Sequence, residues 1–275
     1  MSYHAMSDLA SSIAALPPSP GNTMTPESST QRHQSSIQRN LGQVSKTYRD
    51  SGIYGRFINT CRLDAWHAAI ERCVLPTDSV VDLGCAYGSW ADNWRALGFA
   101  RTIGIDPNPA VLEAARAALD EAHEGFASDA ARLCPSSALI AANGVVVHIL
   151  EDDATVGFLR DAAAALAPGG WLVYSVLAAE HYYNAGRKEW FGPNSCVRPL
   201  ETQRRFAAQA GLEIVAEIGT FIDPWALPAL EFLAADEERR ADWATYQAFI
   251  DLAAVVRGHP DAPFSEVLLV TRAGN

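Results

Sequence analysis

The spacing of apolar positions changes several times along this chain, and each change marks an element. Between Gln43 and Val74 apolar residues recur at helical spacing: Tyr48, Ile53, Tyr54, Phe57 and Ile58, then Leu63, Trp66, Ala69 and Ile70. The pattern predicts helices that pack ahead of the first strand. From Ser79 a short apolar strand runs into Asp82-Leu83-Gly84-Cys85-Ala86-Tyr87-Gly88. A helix follows in which Trp90, Trp94 and Leu97 form one stripe, which assigns those tryptophans to the core. A second strand, Thr102 to Ile105, ends in Asp106, and Asn108-Pro109 supplies a cap and a first-turn proline for the next helix. Late in the chain, Trp243, Tyr246, Ile250, Ala253 and Val256 make another helical stripe within 223–263.

Residues 1–40 break this order. Ser, Thr, Pro, Gln and Asn dominate there without sustained apolar period, which predicts a disordered tail ahead of one domain at 41–275. No basic start precedes the short apolar patch at Ile13–Leu16, and Pro17-Pro18 ends it, so it does not read as a secretory signal. No run of 18 apolar residues occurs, which argues against membrane insertion.

Composition narrows the partners. The chain has 275 residues, 49% of them hydrophobic, and a formal net charge of −11. Lysine occurs only at Lys46 and Lys188 and the arginines are scattered, so no cluster is available to neutralise a phosphate backbone and no nucleic-acid partner is expected. The five cysteines, Cys61, Cys73, Cys85, Cys134 and Cys196, form no C-x-x-C pair and are odd in number. Neither a disulfide framework nor a zinc site is implied, and a reducing cytoplasm fits. Glu151-Asp152-Asp153 has no His or Cys at ligand spacing and reads as the cap of a helix from Ala154, so no metal is expected.

The strand, glycine turn and helix at Ser79–Pro109 name a ligand class. A dinucleotide site needs G-x-G-x-x-G, so that backbone amides reach a pyrophosphate, but Ser89 follows Gly88 here and the third glycine is missing. Asp82, two residues before Gly84, would repel a phosphate and suit an ammonium group. Asp106 stands 22 residues after Gly84 (106 − 84), where a carboxylate accepts hydrogen bonds from ribose hydroxyls. An amino-acid cation joined to a ribose points to S-adenosyl-L-methionine.

With these residues in place, the chain resembles the class I S-adenosylmethionine-dependent methyltransferases. Asp82, Gly84 and Gly88 match the family's acidic, glycine-rich first motif, with Cys85 inside it and a departure at Ala86, which is easily accommodated if its φ is negative. Phe126–Pro135 resembles the family's third-strand ending, which implies an adenine contact from Asp129, with Ala130 beside it in the cofactor set. Ala138–Asn143 is similar to the fourth strand, Val145–Asp152 to the histidine-containing segment after it, and Leu159–Ser175 to the helix, Pro-Gly-Gly turn and fifth strand. Leu212–Ile218 and Phe264–Thr271 look like strands six and seven. The implied fold is α/β, a Rossmann-like, mostly parallel seven-stranded sheet with helices on both faces. An amino-terminal helical lid (41–75) and a helical insert (223–263) before the last strand complete it, the insert either capping the pocket or supplying a homodimer surface.

The implied activity is methyl transfer from S-adenosylmethionine to a small-molecule acceptor through an O, N or C nucleophile, as in secondary metabolism. The cofactor set is Asp82, Gly84, Cys85, Ala86, Gly88, Asp106, Pro107, Asp129, Ala130 and Asn143. His148 and His181 are the candidate bases. Tyr48 and Tyr54 on the lid, with Tyr182 and Tyr183 in the loop after the fifth strand, are the candidate pocket walls. Two alternatives stand beside this reading. Asp82–Trp90 also resembles the first motif of the FtsJ-type RNA ribose methyltransferases, whose Lys-Asp-Lys-Glu set is not matched by Lys46 and Lys188. The other is a methyltransferase-fold protein that binds S-adenosylmethionine without transferring methyl.

Overall fold

A computed structural model describes residues 52–181, 196–223, 243–259 and 261–274. The expected tail at 1–40, Tyr48, Tyr182, Tyr183 and residues 224–242 of the insert lie outside them. The elements are α1 (Gly52–Cys73), β1 (Ser79–Leu83), α2 (Ala91–Ala96), β2 (Arg101–Asp106), α3 (Pro109–Ala118), β3 (Glu121–Glu124), α4 (Ala130–Leu133) and β4 (Ser137–Ala142). Then come α5 (Asp152–Ala164), β5 (Leu166–Leu177), α6 (Leu200–Gln209), β6 (Leu212–Gly219), α7 (Trp243–Val256) and β7 (Glu266–Ala273). Among the described residues no helix is long and apolar enough to cross a membrane.

The seven strands form one sheet in the order β3-β2-β1-β4-β5-β7-β6. β1 pairs in parallel with both β2 and β4, while β7 runs antiparallel to β5 and β6. After β1 the chain builds outward on one side to β3 and then crosses to β4 on the other. The crevice this reversal opens beyond the carboxyl ends of β1 and β4 is where such sheets bind ligands.

Strand alternation sorts the core into two layers. Val81, Leu83, Leu172, Tyr174, Val267 and Leu269 face α5 and α6, packing with Leu159, Ala162, Phe206 and Ala207. Val80, Leu139, Ala141, Val173, Leu268 and Val270 face α1 and α2, packing with Ala65, Trp66, Ala69 and Trp94. Trp66, Trp94 and Tyr174 are fully buried, and such large aromatic bodies contribute most per residue to burying apolar area. The described part of the expected lid is thus a helix lying on the sheet. Its first turns, through Phe57 and Cys61, meet Phe221, Tyr246 and Ile250, so α1 and α7 share a third cluster. Arg62 of α1 forms a buried ion pair with Glu266 of β7, Nε to Oε1 at 2.7 Å, and Thr220 Oγ1 donates to the same carboxylate.

Two local expectations change. Phe126–Pro135 is no strand ending but a 3-10 turn (Ala127–Asp129) followed by α4. The real third strand, Glu121–Glu124, is an edge strand of four residues in which only Ala122 is buried, so it carries no apolar signal. The Pro168-Gly169-Gly170 stretch lies inside β5, where the register against β4 shifts between Ser137 and Leu139, so the expected turn is absorbed as a bulge.

Candidate cofactor site

A cavity of about 330 Å3 opens at the crevice, lined from β1 and its turn by Asp82, Gly84, Cys85 and Ala86, from β2 by Asp106 and Pro107, and from β4 by Asn143. Gly125, Phe126 and Ala127 line it on one flank, and Val145, His148, Ile149 and Phe158 on another. The volume is that of a small-molecule site.

The turn that builds the floor holds three residues with positive φ: Gly84 at 75°, Ala86 at 48° and Gly88 at 71°. At Gly84 a Cβ would come within 2.6 Å of Val145 Cγ2, so the position is closed to any side chain on two counts. Ala86 corrects the expectation of a negative φ. An L-residue in the left-handed region costs about 1–2 kcal/mol, and at Ala86 that strain is held by its own amide, which donates to Asp106 Oδ2 at 2.9 Å. The other Asp106 oxygen accepts from the Asn108 amide at 2.9 Å, while the Asn108 side chain caps α3 through Ala110 N. Asp106 is therefore clamped between the glycine turn and the next helix. Burial raises its pKa, against the two backbone hydrogen bonds, which lower it.

Asp82 is the more deeply set carboxylate, 4% exposed. Its Oδ2 accepts from Trp94 Nε1 at 3.0 Å. Desolvation dominates and, with the Trp94 hydrogen bond opposing it and the Asp106 charge adding to it, pushes the Asp82 pKa up to about 7. Near neutral pH the group is poised: a cation placed beside it favours the ionised form, and without one the proton is retained. The Cys85 thiol, also raised by burial and by both carboxylates, stays neutral.

Four buried polar atoms around this cavity have no hydrogen-bond partner among the described residues: Tyr87 Oη, Trp90 Nε1, Asn108 Nδ2 and Asn143 Nδ2. Buried polar groups are nearly always paired, so unpaired ones gathered on one cavity mark where a ligand would complete them. Two carboxylates able to accept, and hydroxyl and N–H groups able to donate, suit the ammonium, carboxylate and ribose of S-adenosylmethionine; Phe126, 49% exposed, and Phe158 offer apolar area for a base.

The structure separates the expected residues. Asp82, Gly84, Cys85, Ala86, Asp106, Pro107, Asn143 and His148 line this cavity. Gly88 lies behind it, its Cα side against Ala118 of α3. Asp129 and Ala130 are not in the lining: the Asp129 carboxylate accepts from Phe126 N at 3.0 Å and pairs with Arg132, and Ala130 is buried in the core. Asp129, expected to meet adenine, caps the turn at Phe126 and pairs with Arg132, and the wall beside it is formed by Phe126 and Ala127. His181 lines a different cavity, beside Glu180, Arg204, Glu217 and Gly258. Tyr54 lies outside the lining, in the aromatic cluster with Phe57 and Tyr246. Sequence reasoning missed Tyr87, Trp90 and Asn108 as cavity residues, although all three stand within or beside the two motifs. Among the described residues no group of three or more His, Cys, Asp and Glu side chains could hold a metal ion.

A family model described as a methyltransferase domain matches residues 33–217. Solved structures with the same fold include magnesium protoporphyrin IX methyltransferase from Synechocystis PCC 6803 with bound S-adenosylhomocysteine, at 11% identity, covering 89% of this chain and 99% of that one with a TM-score of 0.56. Another is a methyltransferase from Thermotoga maritima described as a possible histamine N-methyltransferase, at 16% identity, covering 88% and 98% with a TM-score of 0.54. A third is an S-adenosylmethionine-dependent methyltransferase from Clostridium acetobutylicum, at 12% identity, covering 89% and 99% with a TM-score of 0.53. No curated protein sequence matches significantly.

Proposed function

The chain belongs to the methyltransferase-domain family, with the class I fold, and from that premise we propose that it transfers the methyl group of S-adenosylmethionine to a small-molecule acceptor. One observation carries the cofactor reading: Asp82 and Asp106, at the ends of adjacent parallel strands, line a single cavity together with the four unpaired polar atoms. S-adenosylmethionine supplies a methyl carbon already activated by its sulfonium. The protein's task is then to hold that carbon in line with the acceptor and to exclude water, which is worth much of the barrier without further chemistry.

Within this reading Asp82 binds the ammonium, Asp106 the ribose hydroxyls, and Phe126 with Phe158 flanks the base. His148 is favoured over His181 as the group that takes an acceptor proton where one must be lost, because His148 lines this cavity and His181 lines another. The acidic chain with two lysines supports a small acceptor over RNA.

Titration calorimetry with S-adenosylmethionine and S-adenosylhomocysteine tests the cofactor, and a methyl-label assay across small hydroxylated, aminated and carboxylated acceptors and bulk RNA tests the acceptor. The reading expects micromolar cofactor binding and label in a small molecule. Absence of binding by either cofactor overturns the first part, and label in RNA alone overturns the second.

A further inference from the structure

Stripe spacing assigns Trp94 to the core and puts Trp66 on an apolar helix face, and both are fully buried. Their rings pack edge to face with centroids 4.8 Å apart, Trp66 on α1 and Trp94 on α2. Each indole N–H leaves this packed pair toward the sheet. Trp94 Nε1 donates to Asp82 Oδ2 at 3.0 Å, and Trp66 Nε1 donates to Asn143 Oδ1 at 3.0 Å. Asp82 stands one residue before the end of β1 and Asn143 follows β4, strands that are direct neighbours, and both side chains line the cavity.

The consequence at Asn143 is a choice of amide orientation. With Oδ1 occupied by the indole, the NH2 group is the free end, and Asn143 Nδ2 has no partner among the described residues. At Asp82 the indole fixes one oxygen and leaves the other lone pairs for a ligand. One aromatic pair therefore presents an acceptor near the end of β1 and a donor just after β4. An α-amino acid carries a matching set, an ammonium that donates and a carboxylate that accepts.

We propose that Trp66 and Trp94 are positioning residues that orient Asn143 and Asp82 as a matched donor and acceptor for the amino-acid end of the cofactor. This rests on the cofactor reading above. A core role alone predicts that removing either indole N–H weakens every ligand of the cavity equally through loosened packing. The positioning role predicts a loss confined to ligands that carry the amino acid. It also predicts a change in how binding depends on pH, because the Trp94 hydrogen bond favours the ionised Asp82. Among the described residues, the charged group acting on Asp82 is the Asp106 carboxylate, while the neighbouring Cys85 thiol is itself raised by Asp82 and stays neutral; neither takes part in the Trp94 hydrogen bond.

The test compares S-adenosylhomocysteine with 5′-methylthioadenosine, which keeps adenine, ribose and sulfur and lacks the amino acid. Affinities are measured by calorimetry for the wild type, Trp66→Phe and Trp94→Phe, variants that keep an aromatic ring and lose the N–H. Trp66→Phe should weaken S-adenosylhomocysteine about tenfold, the size of one well-placed hydrogen bond, and leave 5′-methylthioadenosine within about twofold. Trp94→Phe should do the same and move the pH midpoint of S-adenosylhomocysteine affinity upward. Equal losses for both ligands, or an unmoved midpoint, overturn the proposal while the cofactor reading stands. No binding of S-adenosylhomocysteine by the wild type overturns both. Should Trp66→Phe fail to fold, Asn143→Ala carries the same expectation, and its failure to discriminate the two ligands overturns the Asn143 half.

Discussion

Two cavities among the described residues contain one candidate histidine each and differ in how their polar groups are satisfied. Around the cavity of His148, four buried polar atoms await a partner. Around the cavity of His181, Arg204 is paired with both Glu217 and Glu201, Glu180 accepts from the Leu200 amide, and Arg257 Nη2 is the one buried side-chain atom of the lining left unpaired among the described residues. Volume does not separate the two, since the second is larger. The difference lies in unspent hydrogen-bonding capacity, which a folded chain retains at cost only where something else will use it.

Substitution of a glycine in each cavity gives the sharpest contrast. Gly84→Ala places a Cβ 2.6 Å from Val145 Cγ2 at a φ of 75°. It should destabilise the protein by about 3 kcal/mol, combining left-handed strain with overpacking. Gly258→Ala in the other cavity meets nothing within 4 Å and should stay within about 0.5 kcal/mol of wild type. Denaturant midpoints measure both, and equal effects would remove the distinction between a built turn and an open groove.

Next in size are the carboxylate and the second histidine. Asp106→Ala should weaken S-adenosylhomocysteine by about 1.5–3 kcal/mol, the range for hydrogen bonds to a charged group. His181→Ala should leave that affinity unchanged, because His181 does not line the cavity. Comparable losses in the two variants would mean that the cavities act as one site.

The pH dependence of binding sharpens the contrast further. Asp82 binds a proton more tightly in the folded protein than in the unfolded chain, its pKa raised from 3.8 to about 7. Between those values the folded state holds a proton that the unfolded state has released, so stability without ligand falls as pH rises through this window. A bound ammonium reverses the preference. Cofactor affinity should therefore drop up to about tenfold per pH unit below 7, with proton release on binding, and Asp82→Asn should flatten the profile. A flat wild-type profile from pH 5.5 to 8 would remove Asp82 from contact with the cation.

The smallest effect belongs to Ala86. Ala86→Gly restores the family's glycine at a φ of 48° and should stabilise the protein by about 1 kcal/mol. A loss of stability would mean that the Ala86 methyl is packed to advantage.

Legibility differs element by element for identifiable reasons. β1, β2 and β7 were readable because apolar runs bounded by turn residues have few other meanings. β3 was not, since an edge strand reading Glu-Ala-His-Glu buries one side chain and leaves no pattern. Asp106 and Asn108 were readable as a pair because a capping residue fixes where the chain turns. Asp129 is harder to read, because an acid that caps a turn and one that meets a ligand look alike in sequence, and the structure adds that its carboxylate accepts from Phe126 N. Trp94 reads as core and Trp66 as part of an apolar helix face, and both are buried, but their N–H groups reach Asp82 of β1 and Asn143 just after β4.

The sequence by itself determined the fold class and pointed to a class of ligand, because local order carries both: strand, acid, glycine turn, helix, strand, acid. Tertiary structure decided which side chains share a cavity, because His148 and His181, Trp66 and Asn143, or Asp82 and Trp94 are related through sheet order and helix packing rather than spacing. It also decided which polar groups are already satisfied. A hydrogen bond depends on where both partners end up, and the sequence specifies that only through the whole fold.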